Sequence, residues 1–283
     1  MSIHFIKNGT AGVNDCATKK SGIWGRGGPT YNPDTGRIYF TTGNGVFDAL
    51  HNWGESVIAL NPDGSGGSNG LPIDSYTPTE YGTLNQHDED LGAGAPAILP
   101  AVSASIPHLG VQIGKDGIVR LLNLANLSGT GQPGAIGGEL QEVPLVPSGF
   151  SNWPTPHSAV WKAADGSVWV FAQAQATLAG LQLTVNAGQP SLVKVWSTAA
   201  TMSGYASPIV ANGVLYAFTG GMSNATIQAI MPTTGAVLWT SPQIPGCCYT
   251  QSPIVVNGRL YIVSSSAVTA FQTDFIFHSG FGN

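Results

Sequence analysis

Charge is what this chain has least of. Lys, Arg, Asp and Glu make up 9% of its 283 residues, about a third of the usual share. So few Lys and Glu argue against long exposed helices. A formal net charge of −5 leaves no basic footprint, which argues against a nucleic-acid partner. No apolar run reaches the roughly 18 residues needed to cross a bilayer. Residues 1–20 lack the apolar core of a signal peptide. Catalytic signatures are missing too: no Gly-x-Ser-x-Gly elbow, no His-Glu-x-x-His, no Walker loop and no Cys-x-x-Cys. The three cysteines, Cys16, Cys247 and Cys248, cannot all pair within one chain. Three readings stay open: reduced, partly buried thiols, a staple from Cys16 to Cys247 or Cys248, or a vicinal disulfide. Either bridge needs an oxidising compartment.

Turn formers are abundant, with 38 glycines and 19 prolines, which suits many short strands joined by tight turns. One phrase occurs twice. Ser207-Pro208-Ile209-Val210-Ala211-Asn212-Gly213-Val214-Leu215-Tyr216 returns 45 residues later as Ser252-Pro253-Ile254-Val255-Val256-Asn257-Gly258-Arg259-Leu260-Tyr261. Between the copies lie an apolar strand, Thr226 to Met231, a Thr234-Gly235 turn and an outer strand carrying Trp239. That is one four-stranded unit per repeat, the blade of a β-propeller. Weaker copies run upstream: Asp165-Gly166 before Ser167–Phe171, Asp116-Gly117 before Ile118–Leu122, and Thr35-Gly36 before Arg37–Phe40. Trp196 precedes Trp239 by 43 residues, in keeping with the blade period.

The fold class expected is all-β: a propeller of four-stranded antiparallel blades, about five of them recognisable. The last, from Gln251 to Phe271, ends short of an outer strand. Ile3–Ile6 or Phe275–Phe277 could close the ring; otherwise the chain is a fragment of a larger one with exposed edges. We read residues 1–283 as a single domain, with 1–21 able to supply a closing strand, 22–271 as blades and 272–283 as a tail. Two Gly- and Pro-rich excursions, Gly64–Tyr81 and Ser128–Gly149, break the period and are expected at blade ends, where ligands are met. Trp153, Trp161, Trp169, Trp196 and Trp239 read as packing between blades.

Polar chemistry concentrates in His87-Asp88-Glu89-Asp90, the densest such cluster in the chain. Its plain reading is a solvated turn. The sharper one is metal or substrate contact by Asp88 and Asp90, on the same side of an extended segment. Asn44, between two glycines, could simply be a turn residue at positive φ. Lys115, before Asp116-Gly117, could simply be a hairpin residue. His157 reads as a structural hydrogen-bonding group.

The stretch Gly22–Gly129 resembles the quinoprotein alcohol dehydrogenases, eight-bladed propellers that bind pyrroloquinoline quinone with Ca²⁺. The resemblance rests on Tyr31-Asn32-Pro33, Tyr39-Phe40-Thr41-Thr42-Gly43-Asn44, Ser56–Asn61, His87-Asp88-Glu89-Asp90 and Gly114-Lys115-Asp116-Gly117. It implies Asn44 as a calcium ligand. It also implies Asp88 as general base toward the alcohol and Lys115 as the cation on the quinone oxygens. The family's Trp beneath the cofactor ring aligns with Arg26 or Gly27, and Trp24 lies close by. A calcium-binding Glu and several quinone contacts belong to earlier blades that this chain does not contain.

Because of those departures, the leading functional expectation is a secreted quinoprotein-like propeller acting as a non-catalytic binding or scaffold module. It would meet a protein, carbohydrate or other small-molecule partner at its end loops, or form an oligomer through an exposed blade edge. The alternative is a Ca²⁺- and quinone-dependent alcohol or sugar dehydrogenase, or a fragment of one. A calcium-dependent hydrolase comes third. An aromatic floor beside Asn44 and Lys115 would favour the dehydrogenase. Composition, together with a tail (Phe275–Phe281) resembling those that end many secreted proteobacterial proteins, suggests a bacterial protein that is secreted or periplasmic.

Overall fold

Turn chemistry sets the strand boundaries. In the computed structural model, residues 20–25, 28–67, 70–102, 105–146, 157–174, 177–198, 206–221, 224–247 and 252–272 are described. They form five antiparallel sheets in chain order. The first holds β1 (Thr30–Asn32), β2 (Arg37–Thr41), β3 (Val57–Leu60) and β4 (Asp74–Tyr76). The second holds β5 (Ala97–Ile98), β6 (Leu109–Ile113), β7 (Ile118–Asn123) and β8 (Gln141–Pro144). The third holds β9 (Ala159–Lys162), β10 (Val168–Ala174), β11 (Thr177–Asn186) and β12 (Gln189–Ser197). β13 (Ile209–Ala211), β14 (Val214–Gly221), β15 (Asn224–Ile230) and β16 (Val237–Thr240) make the fourth, with β17 (Ile244–Pro245) also paired to β15. The fifth has three strands: β18 (Ile254–Val256), β19 (Arg259–Val263) and β20 (Val268–Gln272).

Each sheet is a meander, and its first strand lies against the first strand of the next, β1 on β5, β5 on β9 and β9 on β13. This is the propeller expected from the repeat, with first strands innermost. Asn212-Gly213 turns with φ of 51° and 74°, and Asn257-Gly258 with 49° and 68°. These values suit the two-residue turn whose twist matches that of the flanking strands. Pro29, Pro96, Pro208 and Pro253 each stand immediately before a first strand, where a missing N–H breaks no ladder.

The core lies between sheets rather than within them. Along β10, Val168, Val170, Ala172 and Ala174 face the second sheet, packing with Val111, Ile113 and Leu121. The alternate residues Trp169 and Phe171 face the fourth, packing with Leu215 and Ala217. Alternation along one strand thus feeds two interfaces, and every residue of β10 is buried. Trp196 bridges blades as expected: its Nε1 donates to Pro232 O at 2.7 Å. Trp239 packs edge-on to Phe271 with centroids 5.3 Å apart. Trp153 lies outside the described residues.

The first sheet differs from the sequence expectation in its periphery. The excursion Gly64–Tyr81 contains β4, and Ser128–Gly149 contains β8. Both outer strands are polar and were invisible to an apolar pattern. Asp74 of β4 is buried because its carboxylate accepts the N–H groups of Leu127 at 2.6 Å and Ser128 at 3.3 Å. A short helix, α1 (Tyr81–His87), and a 3₁₀ turn (Leu91–Ala93) link the first sheet to the second. Cys247 is buried and disulfide-bonded, which overturns the reading of three reduced thiols. Cys16, Cys248 and the candidate closing strands Ile3–Ile6 and Phe275–Phe277 lie outside the described residues.

Candidate functional site

Four connections meet at one end of the first two sheets. Asn44 lies in the β2–β3 loop, Asp88 and Asp90 lie in the link carrying α1, and Lys115 sits in the β6–β7 turn. The fourth is the segment 20–25, which runs along the β2–β3 loop. Gly43 N donates to Gly22 O at 2.8 Å, and Ser21 N donates to Asn44 O. Successive connections of an antiparallel meander alternate between its two ends. The β3–β4 and β7–β8 connections therefore fall at the blade end opposite this cluster.

The sequence-derived candidates come together. Asn44 Nδ2 donates to Asp88 Oδ1 at 2.5 Å, and Asn44 N donates to Asp90 Oδ1 at 2.7 Å. Lys115 Nζ reaches Asp90 Oδ2 at 2.5 Å, Asp88 Oδ2 at 3.3 Å and the Asp88 carbonyl at 3.0 Å. Trp24 flanks the same loop: its Cδ1 lies 3.1 Å from where a Cβ on Gly43 would stand, and the indole is 63% exposed. Arg26 and Gly27, where the resembling family carries its ring-stacking Trp, are outside the described residues.

Two local expectations are corrected. Asp88 and Asp90 do not share a side of an extended segment. Asp88 is the left-handed C-cap of α1 at φ 60°, and Asp90 opens the 3₁₀ turn at φ −38°, ψ 120°. The kink lets both carboxylates meet Lys115. Asn44 is not at positive φ; it stands between glycines because a Cβ on Gly43 would run into Asp90 Oδ1 and one on Gly45 into Ser21 Oγ. The neighbouring backbone is crowded: a Cβ on Gly92 would stand 2.6 Å from the Thr42 carbonyl carbon and 2.7 Å from Gly43 N. No side chain fits where the 3₁₀ turn touches the start of the β2–β3 loop.

Burial divides the cluster. Asp88 is 64% exposed at its side chain, whereas Asp90 and Lys115 are at 7% and 11%. Burial works against the Lys115 ammonium, but the hydrogen bond and charge of Asp90, then of Asp88, outweigh it and hold its pKa above the ordinary Lys value. Below them lies Glu55, which sequence reasoning missed. It is fully buried, its N–H donates to Gly43 O at 3.0 Å, and its Oε2 accepts Leu91 N–H at 2.6 Å. Its Oε1 has no hydrogen-bond partner, and neither has Asn44 Oδ1. Burial pushes the Glu55 carboxyl up to about 8, the Leu91 bond only partly opposing it, so the group is protonated at neutral pH. Nothing in Gly54-Glu55-Ser56 announces this. No group of three His, Cys, Asp or Glu side chains among the described residues is placed to hold a metal by itself. His157 is the structural hydrogen-bonding group expected, its Nδ1 2.9 Å from Ala95 O.

Fold and geometry together define the class: an all-β propeller-repeat protein. No protein-family profile matches the chain, and no curated protein matches it. Solved structures do. The quinohemoprotein alcohol dehydrogenase of Comamonas testosteroni aligns at 15% identity and TM-score 0.54, covering 86% of this chain and 44% of that one. A europium-containing methanol dehydrogenase aligns at 16% identity and TM-score 0.53, covering 86% and 50%. BamB from Moraxella catarrhalis aligns at 19% identity and TM-score 0.44, covering 82% and 58%. The chain spans about half the length of these structures. At such identities the likeness is one of fold.

Proposed function

We propose that the Asn44–Asp88–Asp90–Lys115 centre binds pyrroloquinoline quinone together with Ca²⁺ and serves the oxidation of an alcohol. The observation that carries this reading is the convergence of all four side chains beside an exposed indole. The donor set suits the groups. Asn44 Oδ1 is a buried oxygen without a partner, and two carboxylates face one ammonium, so the described charges leave a net attraction for a hard cation. Asn44, Asp88 and Asp90 would hold the cation, with further oxygens from the cofactor and water. Lys115 would meet the quinone oxygens, with Trp24 beside the ring.

When bound, the quinone supplies the hydride-accepting chemistry. The work of the chain's own residues is proton transfer and positioning. Asp88, the exposed carboxylate, takes the alcohol's hydroxyl proton as the carbonyl forms. Lys115 keeps that carboxylate turned toward the loop and stabilises its charge. Asp90, with Asn44 N–H on one oxygen and Lys115 on the other, fixes both neighbours. Trp24 shields one flank from water.

Titration of the purified protein with pyrroloquinoline quinone and CaCl₂, followed by quinone absorbance and thermal shift, tests this. Saturable binding that is lost in Asp88→Asn and in Asn44→Ala supports it. Absence of binding at high micromolar cofactor rejects it. One observation favours a second reading, a binding or scaffold module: the outward face of the last sheet exposes Ile254, Val256, Val263 and Val268. Either function suits the secreted or periplasmic setting we propose. No described helix is long and apolar enough to cross a membrane.

A further inference from the structure

Arg120 is the only fully buried cation among the described residues. It projects from β7 into three carboxylates that come from three different places. Its two terminal nitrogens take Asp116 in a fork, Nη2 to Oδ2 at 2.6 Å and Nη1 to Oδ1 at 3.3 Å. Nη2 also donates to Glu80 Oε1, and Nε donates to Glu142 Oε1 at 3.1 Å. Glu142 lies on β8, away from the site. The other two partners do not. Asp116 directly follows Lys115 in the β6–β7 turn, and Glu80 is the N-cap of α1, whose C-cap is Asp88.

We infer that Arg120 is a positioning residue that sets Asp88 against Lys115 by clamping the base of both arms at once. The inference rests on reading that pair as the binding centre, and it adds how the pair is held in register. Stability alone explains the arrangement poorly. A buried guanidinium facing three carboxylates carries a large desolvation cost, and apolar side chains of similar volume commonly stabilise such a position as well or better. What the guanidinium supplies, and an apolar group cannot, is a rigid planar fork with fixed directions. A Lys could keep the charge but not hold two separate segments at a set angle.

The test uses Arg120→Lys and, as a control, Glu142→Gln, which neutralises the partner that leads to neither arm. Acetylation of lysines in the folded protein, read by mass spectrometry, reports whether Lys115 is still held by Asp88 and Asp90. Lys162 and Lys194, both exposed, are internal references. Arg120→Lys should speed acetylation of Lys115 several-fold, as its ammonium is released from Asp88 and Asp90, and leave the references unchanged. Glu142→Gln should leave Lys115 slow even where it lowers the melting temperature as much. Equal labelling of Lys115 in wild type and Arg120→Lys overturns the inference. So does acceleration that merely follows the loss of stability in both variants. If Arg120→Lys does not fold, Glu80→Ala cuts only the α1 arm, since Glu80 makes no side-chain cap bond, and should give the same acceleration; its failure to do so is equally decisive. A parallel titration with CaCl₂ and pyrroloquinoline quinone should show weaker binding in Arg120→Lys and not in Glu142→Gln. Wild-type protein that binds neither removes the proposed function, while the labelling still decides the role of Arg120.

Discussion

Glu55 is a carboxyl group with no exposure, a φ of 52° and one oxygen without a hydrogen-bond partner. Each of these costs stability, and together they mark a residue held in place by its surroundings. Its folded pKa lies near 8, against an ordinary 4.5. A carboxyl raised in this way binds its proton more tightly folded than unfolded, so stability is full below about 4.5 and is lost as pH rises toward 8. The slope from this group is at most about 1.4 kcal/mol per pH unit. Glu55→Gln keeps an acceptor for the Leu91 N–H and cannot ionise. Its melting temperature should fall less between pH 5 and pH 8 than that of wild type, as calorimetry across that range would show. Parallel pH profiles would mean that Glu55 is ionised in the folded protein. At this scale the sequence was half legible. Asn44, Asp88, Asp90 and Lys115 stand in short phrases that resemble a known family. Glu55 and Arg120 matter only because other segments bury them, and burial leaves no mark in the residues beside them.

Among the elements, the repeat was readable wherever turn chemistry is local. Asn212-Gly213 and Asn257-Gly258 need positive φ, and that demand is written in the residue types themselves. β4 and β8 were missed because Asp74-Ser75-Tyr76 and Gln141-Glu142-Val143-Pro144 have no apolar alternation; distant partners such as Leu127 N–H and Arg120 satisfy them instead. α1 was missed for a related reason: at seven residues, Tyr81–His87 buries only Leu84, too little for a helical stripe to show. The tryptophans tell the opposite story, since their spacing alone predicted contacts between blades. Trp196 stands over the third and fourth sheets, with its ring against Gly180 and Gly235 and its N–H on Pro232 O. Trp196→Phe keeps most of the ring and removes the donor. It should cost about 1 kcal/mol, the usual value of one hydrogen bond plus the acceptor left without its partner. Urea unfolding would show this as a lower midpoint at unchanged m; an unaltered midpoint would mean that the Pro232 bond is not formed in solution.

As a whole, the molecule is a series of blades each covered by its neighbours, and the series is not symmetrical at its two ends. The outer face of the first sheet is already sealed, with Phe40, Ile58 and Leu60 packed beneath Trp53, Phe47 and Leu71. The last sheet packs Leu260 and Ile262 against the fourth, while Ile254, Val256, Val263 and Val268 stay 45–67% exposed on its other side. An apolar, pleated face of this kind invites association with any similar surface. Val263 and Val268 are direct cross-strand partners on β19 and β20, so they can be replaced together by an opposite-charge pair without setting like charges against each other. The double variant Val263→Lys, Val268→Glu should abolish concentration-dependent light scattering. It should change stability by no more than about 0.5 kcal/mol, since neither side chain contributes to the core beneath. Sedimentation at several concentrations separates the outcomes. Loss of the heavier species makes this face the adhesive one, whereas an unchanged distribution moves self-association to another surface.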